Sequence, residues 1–334
     1  MEYPIIALVA GLIFIFFSAD YFIETSAKIA NIYKVKPLII GILILGFGTS
    51  APEMFVSGLA ALEEHPGLSV GNAFGSNIFN IALVLGITAI LKPIKLELKN
   101  IRFELVILIV FTVIAGLLLL HNSNLSNFDG FVLLVLLGVF LWFTFKESKK
   151  VHHEVNIPSL NEGSEQKLKL WRDLVWWLFV LIVCAQLIVY GATNIATEFG
   201  VDDVIIGITI VALGTSLPEL AVSITGVYKN QHEMVVGNII GSNIFNTVAV
   251  LAIPALISTS DIPLISSSGL SGIWPTYSAF FLDFGFMFVL TIAIGFFLLV
   301  SGSEKRKHQI SSTEGSLLVL VLCIYLLQMF IFLF

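Results

Sequence analysis

Charge is scarce in this chain. Of its 334 residues only 12% are Asp, Glu, Lys or Arg, against 57% hydrophobic, and the mean hydropathy is +0.98. No water-soluble fold can hide that much apolar surface, and apolar runs of about 20 residues are what a bilayer core demands. The chain therefore reads as an all-α polytopic membrane protein. Cysteine is nearly absent too. Cys184 and Cys323 lie in apolar runs with neither disulfide nor metal spacing, and read as small buried hydrophobes. Paired histidines, a nucleophile with a base at motif spacing, and a phosphate-cradling loop are all missing, which argues against an enzyme. His152, His153 and Glu154 lack a third ligand and read as a solvated charge run. No basic patch with interleaved aromatics suggests nucleic acid. Because Met1-Glu2-Tyr3-Pro4 lacks the positive flank of a cleavable signal, the first apolar run is expected to remain as a span.

Ten apolar segments are present, near 4–26, 37–62, 68–91, 103–120, 130–146, 173–196, 204–227, 234–257, 279–300 and 315–333. The Lys and Arg residues test this division. With the N-terminus outside, the inner loops hold Lys28, Lys34 and Lys36; Lys92, Lys95, Lys99 and Arg102; Lys146, Lys149, Lys150, Lys167, Lys169 and Arg172; Lys229; and Lys305, Arg306 and Lys307. Those are all 17 Lys and Arg residues of the protein. A miscounted span would scatter them over both faces, so the positive-inside rule supports ten spans with both termini outside, in a cell (inner) membrane.

What is present in place of charge is one motif written twice. Gly48-Thr49-Ser50-Ala51-Pro52-Glu53, Val70-Gly71-Asn72 and Gly75-Ser76-Asn77-Ile78-Phe79-Asn80 return 166 residues later as Gly214-Thr215-Ser216-Leu217-Pro218-Glu219, Val236-Gly237-Asn238 and Gly241-Ser242-Asn243-Ile244-Phe245-Asn246. The copies occupy spans two and three and spans seven and eight. Five spans separate equivalent points, so the second copy runs through the membrane inverted. The expected domains are a first five-helix repeat over 1–146, a cytoplasmic linker over 147–171 containing Pro158 and Gly163, and a second, inverted repeat over 172–334.

Each copy carries one acid inside an apolar segment, and a carboxylate at membrane depth costs roughly 2.5 kcal/mol or more to insert. Proline cannot donate to the carbonyl four residues back, so Pro52 and Pro218 are expected to free the carbonyls of Gly48 and Gly214 and break the helices at midplane. At four-residue spacing Thr49, Glu53 and Ser57 share a stripe, as do Asn72, Ser76 and Asn80; Thr215, Glu219 and Ser223, and Asn238, Ser242 and Asn246, repeat it. All are hard oxygen donors, suited to Ca²⁺ or Na⁺ and unsuited to zinc or copper. Blander roles stand beside these. The serines and threonines can bond back to their own helix, Gly71, Gly75, Gly237 and Gly241 suit close helix packing, and Asn72, Asn77, Asn238 and Asn243 suit interhelical contacts as well as ligation. Asp20 and Glu24 read as an interfacial pair with Lys28.

These paired motifs resemble the alpha repeats of the calcium/cation antiporter superfamily, in its prokaryotic sodium/calcium exchanger branch. The resemblance implies that Glu53 and Glu219 coordinate Ca²⁺. It also implies that Thr49, Ser50, Ser76 and Asn80, with Thr215, Ser216, Ser242 and Asn246, complete calcium or sodium sites, helped by the carbonyls of Gly46 and Ala212. It further implies electrogenic exchange of more than two Na⁺ per Ca²⁺. Some members carry Asp where this chain has Asn246. With Asn at both 80 and 246 the site holds two formal charges, and protonation of a third acid there is no part of the cycle. One Ca²⁺ or two Na⁺ neutralise two carboxylates, so the ions compete for one cage, and competition in a site open alternately to each side is antiport. No cofactor is implied, since the ions are cargo; a single chain carries both copies, so a monomer suffices. A Ca²⁺/H⁺ antiporter using the same carboxylates, and a cation channel, remain as alternatives.

Overall fold

A computed structural model describes residues 2–122, 124–150, 164–200, 210, 212–258, 261–263, 279–300 and 308–333. Helix dominates, as it must where no water is at hand to bond the backbone. In chain order the helices are α1 (Glu2–Tyr33), α2 (Pro37–Ile40), α3 (Phe47–Thr49), α4 (Ala51–Leu62), α5 (Pro66–Phe79), α6 (Gly86–Leu91), α7 (Leu98–Asn122) and α8 (Asn127–Lys150). They continue as α9 (Ser164–Glu198), α10 (Ala212–Thr215), α11 (Leu217–Tyr228), α12 (His232–Phe245), α13 (Ala252–Ile257), α14 (Ala279–Val300) and α15 (Ser312–Leu333). Three π-helical segments, Gly41–Gly46, Asn80–Leu85 and Asn246–Val250, join α2 to α3, α5 to α6 and α12 towards α13.

Eight of the described helical stretches are long and apolar enough to span a membrane, and Leu282–Phe296 is a shorter apolar one. They match the apolar segments of the sequence closely. The expected seventh span is described only from its later part, α10 and α11, because 201–209 and 211 lie outside the described residues. So do His152, His153, Glu154, Pro158 and Gly163 of the linker, and Lys305, Arg306 and Lys307.

Two helices run further than the apolar pattern indicates. α1 has 32 residues and α9 has 35, and at 1.5 Å per residue each is about 50 Å long, well beyond a ~30 Å hydrocarbon core. Paired polar groups sustain the extension. Lys28 reaches Glu24 at 2.7 Å, Lys229 reaches Asp20 at 2.9 Å, and Trp171 Nε1 donates to the Tyr33 hydroxyl at 3.0 Å. The interfacial pair expected at the end of α1 is thus a cluster that also fastens Lys229 from the α11–α12 turn.

The chain forms two compact units, Met1–Thr49 with Thr144–Gly241, and Ser50–Phe143 with Ser242–Phe334. In the first, α1 and α9 pack antiparallel. Gly191 meets Pro4 and Leu8, Gly11 meets Cys184 and Ile188, and Tyr21 stacks on Trp177 at 4.5 Å. Phe22, Ile23, Leu181, Ala221, Val222 and Met234 fill the core between them and α11 and α12. In the second unit three more helix pairs run antiparallel: Gly86 of α6 against Gly315 of α15, Gly116 and Ile109 of α7 against Phe284 and Gly295 of α14, and Gly130 and Phe140 of α8 against Ala255 and Phe245. Two short ribbons tie its loops, β1 (Ile94–Leu96) with β4 (His308–Ile310) and β2 (Asn124–Leu125) with β3 (Ile262–Pro263), both antiparallel. Side-chain caps start two of its helices: Asp129 accepts from the Ser126 backbone N–H at 2.8 Å, and Glu314 from that of Ser311 at 2.7 Å.

Two sequence expectations change. Cys184 is buried as expected, but Cys323 is exposed on the surface of α15. That surface faces lipid in a spanning helix, so an apolar run does not imply burial in protein. The motif glycines differ between copies. A Cβ on Gly237 would collide with the Leu38 carbonyl, one on Gly41 with the Met234 carbonyl, and one on Gly241 would sit 2.8 Å from Ile42 Cα, whereas nothing described lies within 4 Å of Gly71 or Gly75. Close packing is the role of the second pair only. Gly237→Ala should therefore destabilise the protein by about 1–3 kcal/mol through overpacking, while Gly71→Ala stays near wild type. Thermal unfolding in detergent compares the two, and equal losses would contradict the asymmetry.

Candidate cation-binding site

In both copies the helix stops at the same serine. Ser50 (φ −83°, ψ 0°) separates α3 from α4, and Ser216 (φ −91°, ψ 4°) separates α10 from α11. Proline sits at the second position of each new helix, where its missing N–H costs nothing. Glu53 and Glu219 consequently lie in the first turn of fresh helix N-termini, where unbonded N–H groups and the helix dipole favour negative charge. The prolines of the motif thus place each acid in the first turn of a helix.

The π segments add a feature with no compositional signature. Asn80 and Asn246 each begin one, and Gly46 ends one three residues before Thr49. A π turn adds a residue to the helix and rotates the side chains beyond it, a distortion common at functional sites. The stripe drawn at four-residue spacing runs through Ser76 and Ser242 to the two asparagines that open these segments.

Both glutamates are fully buried, at 0% exposure, and Thr49, Ser50, Ser76, Asn80, Thr215, Ser216, Ser242 and Asn246 are buried as well. Gly46 is also buried, and Ala212 opens α10. The first unit holds Thr49, Thr215, Ser216, Glu219, Ser223 and Asn238. There the Thr49 hydroxyl donates to its own helix at Leu45 O (2.9 Å), stands 3.2 Å from Asn238 Oδ1 and lies beside the Glu219 carboxylate. Back-bonding and site membership therefore coexist at Thr49. Asn238 Nδ2 reaches Ser223 Oγ at 3.4 Å. First-copy Thr49 and second-copy Glu219 meet in one unit.

The second unit holds Ser50, Glu53, Ser57, Asn72, Ser76, Asn80, Ser242 and Asn246. Asn72 Nδ2 donates to the Glu53 carbonyl at 3.1 Å and to Ser57 Oγ at 3.0 Å, and Ser69 Oγ donates to the Ser57 carbonyl at 2.7 Å. These bonds zip α4 to α5. Sequence reasoning missed Ser69, whose counterpart is Val235, packed against Gly226 in the first unit. It also missed Thr247 and Met287, which accept from Asn77 Nδ2 at 2.9 Å and 3.2 Å. The motif asparagines 72, 77 and 238 are struts between helices by this geometry.

Among the described residues, Ser50 Oγ, Ser216 Oγ and both amide atoms of Asn80 and of Asn246 are buried without a hydrogen-bond partner. Each such orphan costs about 1–3 kcal/mol unless something satisfies it. Hydroxyl, amide and carboxylate oxygens in this setting suit a hard cation that sheds its water.

The sodium/calcium exchanger protein family matches this chain over residues 3–146 and 171–331, a division that falls at the expected linker. The inner membrane protein YrbG of Escherichia coli (strain K12) is 38% identical over 270 residues, 78% of this chain and 82% of its own. The sodium/calcium exchanger MaX1 of Methanosarcina acetivorans is 26% identical over 360 residues, 97% of each chain. Among solved structures, the sodium-calcium exchanger NCX_Mj soaked with zero Na⁺ and Ca²⁺ superposes with a TM-score of 0.80 at 30% identity, covering 98% of this chain and 99% of that one. With that match spanning both motif copies and nearly the whole chain, this protein belongs to the sodium/calcium exchanger family of membrane cation antiporters.

Proposed function

We propose that this protein exchanges Na⁺ for Ca²⁺ by alternating access, at a midplane site to which Glu53 and Glu219 each contribute a carboxylate. The observation that carries the reading is the set of buried oxygen donors that have no hydrogen-bond partner among the described residues, Ser50, Ser216, Asn80 and Asn246, repeated in both copies along with fully buried glutamates. Thr49, Thr215, Ser76, Ser242 and the carbonyls of Gly46 and Ala212 complete the donor set. Two formal negative charges are balanced by one Ca²⁺ or by two Na⁺, so each ion displaces the other. MaX1 and NCX_Mj, both named as sodium/calcium exchangers, support the ion pair chosen.

The architecture we propose is ten transmembrane helices in two inverted repeats of five, 1–146 and 172–334, joined by an inner linker over 147–171, with both termini outside. Four antiparallel pairings, α1 with α9, α6 with α15, α7 with α14 and α8 with the α12–α13 stretch, support it. Each joins helices whose places in a ten-span count run in opposite directions. Inversion gives the two glutamates equivalent roles towards opposite faces of the membrane.

Inside-out vesicles carrying the protein should take up radiolabelled Ca²⁺ when a Na⁺ gradient is imposed, and uptake that ignores Na⁺ while following pH would replace this reading with Ca²⁺/H⁺ antiport. Glu53→Gln and Glu219→Gln each remove one of the two charges and should abolish Na⁺-driven uptake without loss of folded protein. Asn72→Ala removes a strut from the Glu53 carbonyl and leaves the ligands in place. It should weaken the apparent Ca²⁺ affinity by about tenfold, the lower end of outer-shell effects, measured as the Ca²⁺ concentration giving half-maximal uptake.

A further inference from the structure

One acid in a spanning helix is used by neither copy of the motif. Asp283 interrupts the apolar run of α14, is half-buried, and is the only charged residue between 279 and 300. Its Oδ1 accepts from the Tyr325 hydroxyl of α15 at 3.0 Å, and the Tyr325 ring meets Phe286 edge-on at 5.0 Å. Among the described residues this phenol is its only hydrogen-bond partner, and no Lys, Arg or His forms an ion pair with it.

Among the described residues, the elements packed on α14 supply no compensating charge. α5 and the Asn80–Leu85 segment contain no titratable residue. α7 runs antiparallel to α14, with Gly116 facing Phe284 and Ile109 facing Gly295, so Lys99, Arg102 and Glu104 stand at the far end. His121, at the near end, is exposed at the helix terminus. His308 of β4 belongs to the opposite end of α14, and Glu314 of α15 is engaged in the cap at Ser311. A lone carboxylate in such a place is expensive, and intramembrane acids mark ion or proton sites by default. A metal ion would need about six oxygens; one carboxyl and one phenol among Phe284, Phe286 and Met287 fall far short. A proton needs only one.

We infer that Asp283 is a proton-binding site, separate from the duplicated motif, whose occupancy adjusts α14 against the motif helices. The proton resides on Oδ2 while the phenol continues to donate to Oδ1; on release it passes to water and leaves a carboxylate. The route to the motif is short. Met287 lies one turn along α14 and accepts from Asn77 Nδ2, which also donates to Thr247, the neighbour of Asn246. Charging Asp283 stresses the α14 packing that holds this chain of contacts.

The test uses purified full-length protein in lipid, saturated with Ca²⁺ so that the motif glutamates are ionised. Infrared difference spectra should show a protonated-carboxyl C=O band at neutral pH that is absent in Asp283→Asn, shifted in Tyr325→Phe and retained in Glu53→Gln. In vesicles, Na⁺-driven Ca²⁺ uptake by the wild type should fall about fivefold, the lower end of coupling between sites, as alkaline pH removes the proton, while Asp283→Asn stays flat. A missing band, a band that survives in Asp283→Asn, or identical pH profiles for the two proteins would overturn the inference. The uptake readout rests on the exchange reading; if Na⁺-driven uptake is absent at every pH, that reading fails by itself and the infrared band still decides whether Asp283 holds a proton.

Discussion

The constraint behind this structure is the cost of a carboxylate buried where no water can solvate it. Glu53 and Glu219 are fully buried in a membrane protein, and an uncompensated charge in such a place costs several kcal/mol. Each local oddity of the motif reduces that cost. The proline at the second position suits the start of a new helix, so the acid gains a helix N-terminus. The serine at the break exposes a hydroxyl that no backbone group claims. The asparagines at the π segments carry amide groups with no partner among the described residues. In the exchange reading we propose, a bound cation satisfies these groups, whose oxygens are the hard donors such an ion takes.

Duplication supplies two copies of this device, but they have not stayed chemically alike. In the first copy Ser57, Ser69 and Asn72 zip α4 to α5 with hydrogen bonds. In the second, Val235 replaces Ser69 and apolar contact with Gly226 takes over, while Asn238 turns its carbonyl towards Thr49 of the other copy. The glycine pair is crowded by backbone in the second copy and open in the first among the described residues.

Most of the fold was legible because a bilayer imposes coarse, additive rules. Apolar run length located the eight long apolar helices found among the described residues. The breaks at Ser50 and Ser216 came from Pro52 and Pro218, since a missing N–H has a fixed consequence four residues back. What escaped depends on contacts. A π turn has no composition of its own, so the segments that open at Asn80 and Asn246 were invisible. Ser69 lies outside the repeated letters, and its pairing with Ser57 exists only once α4 folds onto α5. The extra turns of α1 and α9 rest on Asp20, Lys229, Tyr33 and Trp171 meeting across separate elements. Asp283 is different: an acid in a phenylalanine-rich span is a plain signal, overlooked because it is not duplicated.

In the exchange reading we propose, the two asparagines at 80 and 246 bear on how the ions compete. A third carboxylate would strengthen Ca²⁺ binding, and at an effective dielectric near 20 each added charge about 4 Å from a divalent ion contributes roughly 8 kcal/mol before desolvation is subtracted. Binding that strong slows release, and a carrier must release its cargo on every cycle. An amide keeps the oxygen and discards the charge, so affinity falls while coordination number is preserved. It also leaves the motif with no acid beyond the one in each copy. Asp283, held by a phenol one turn from a contact with Asn77, is a further carboxyl outside the motif.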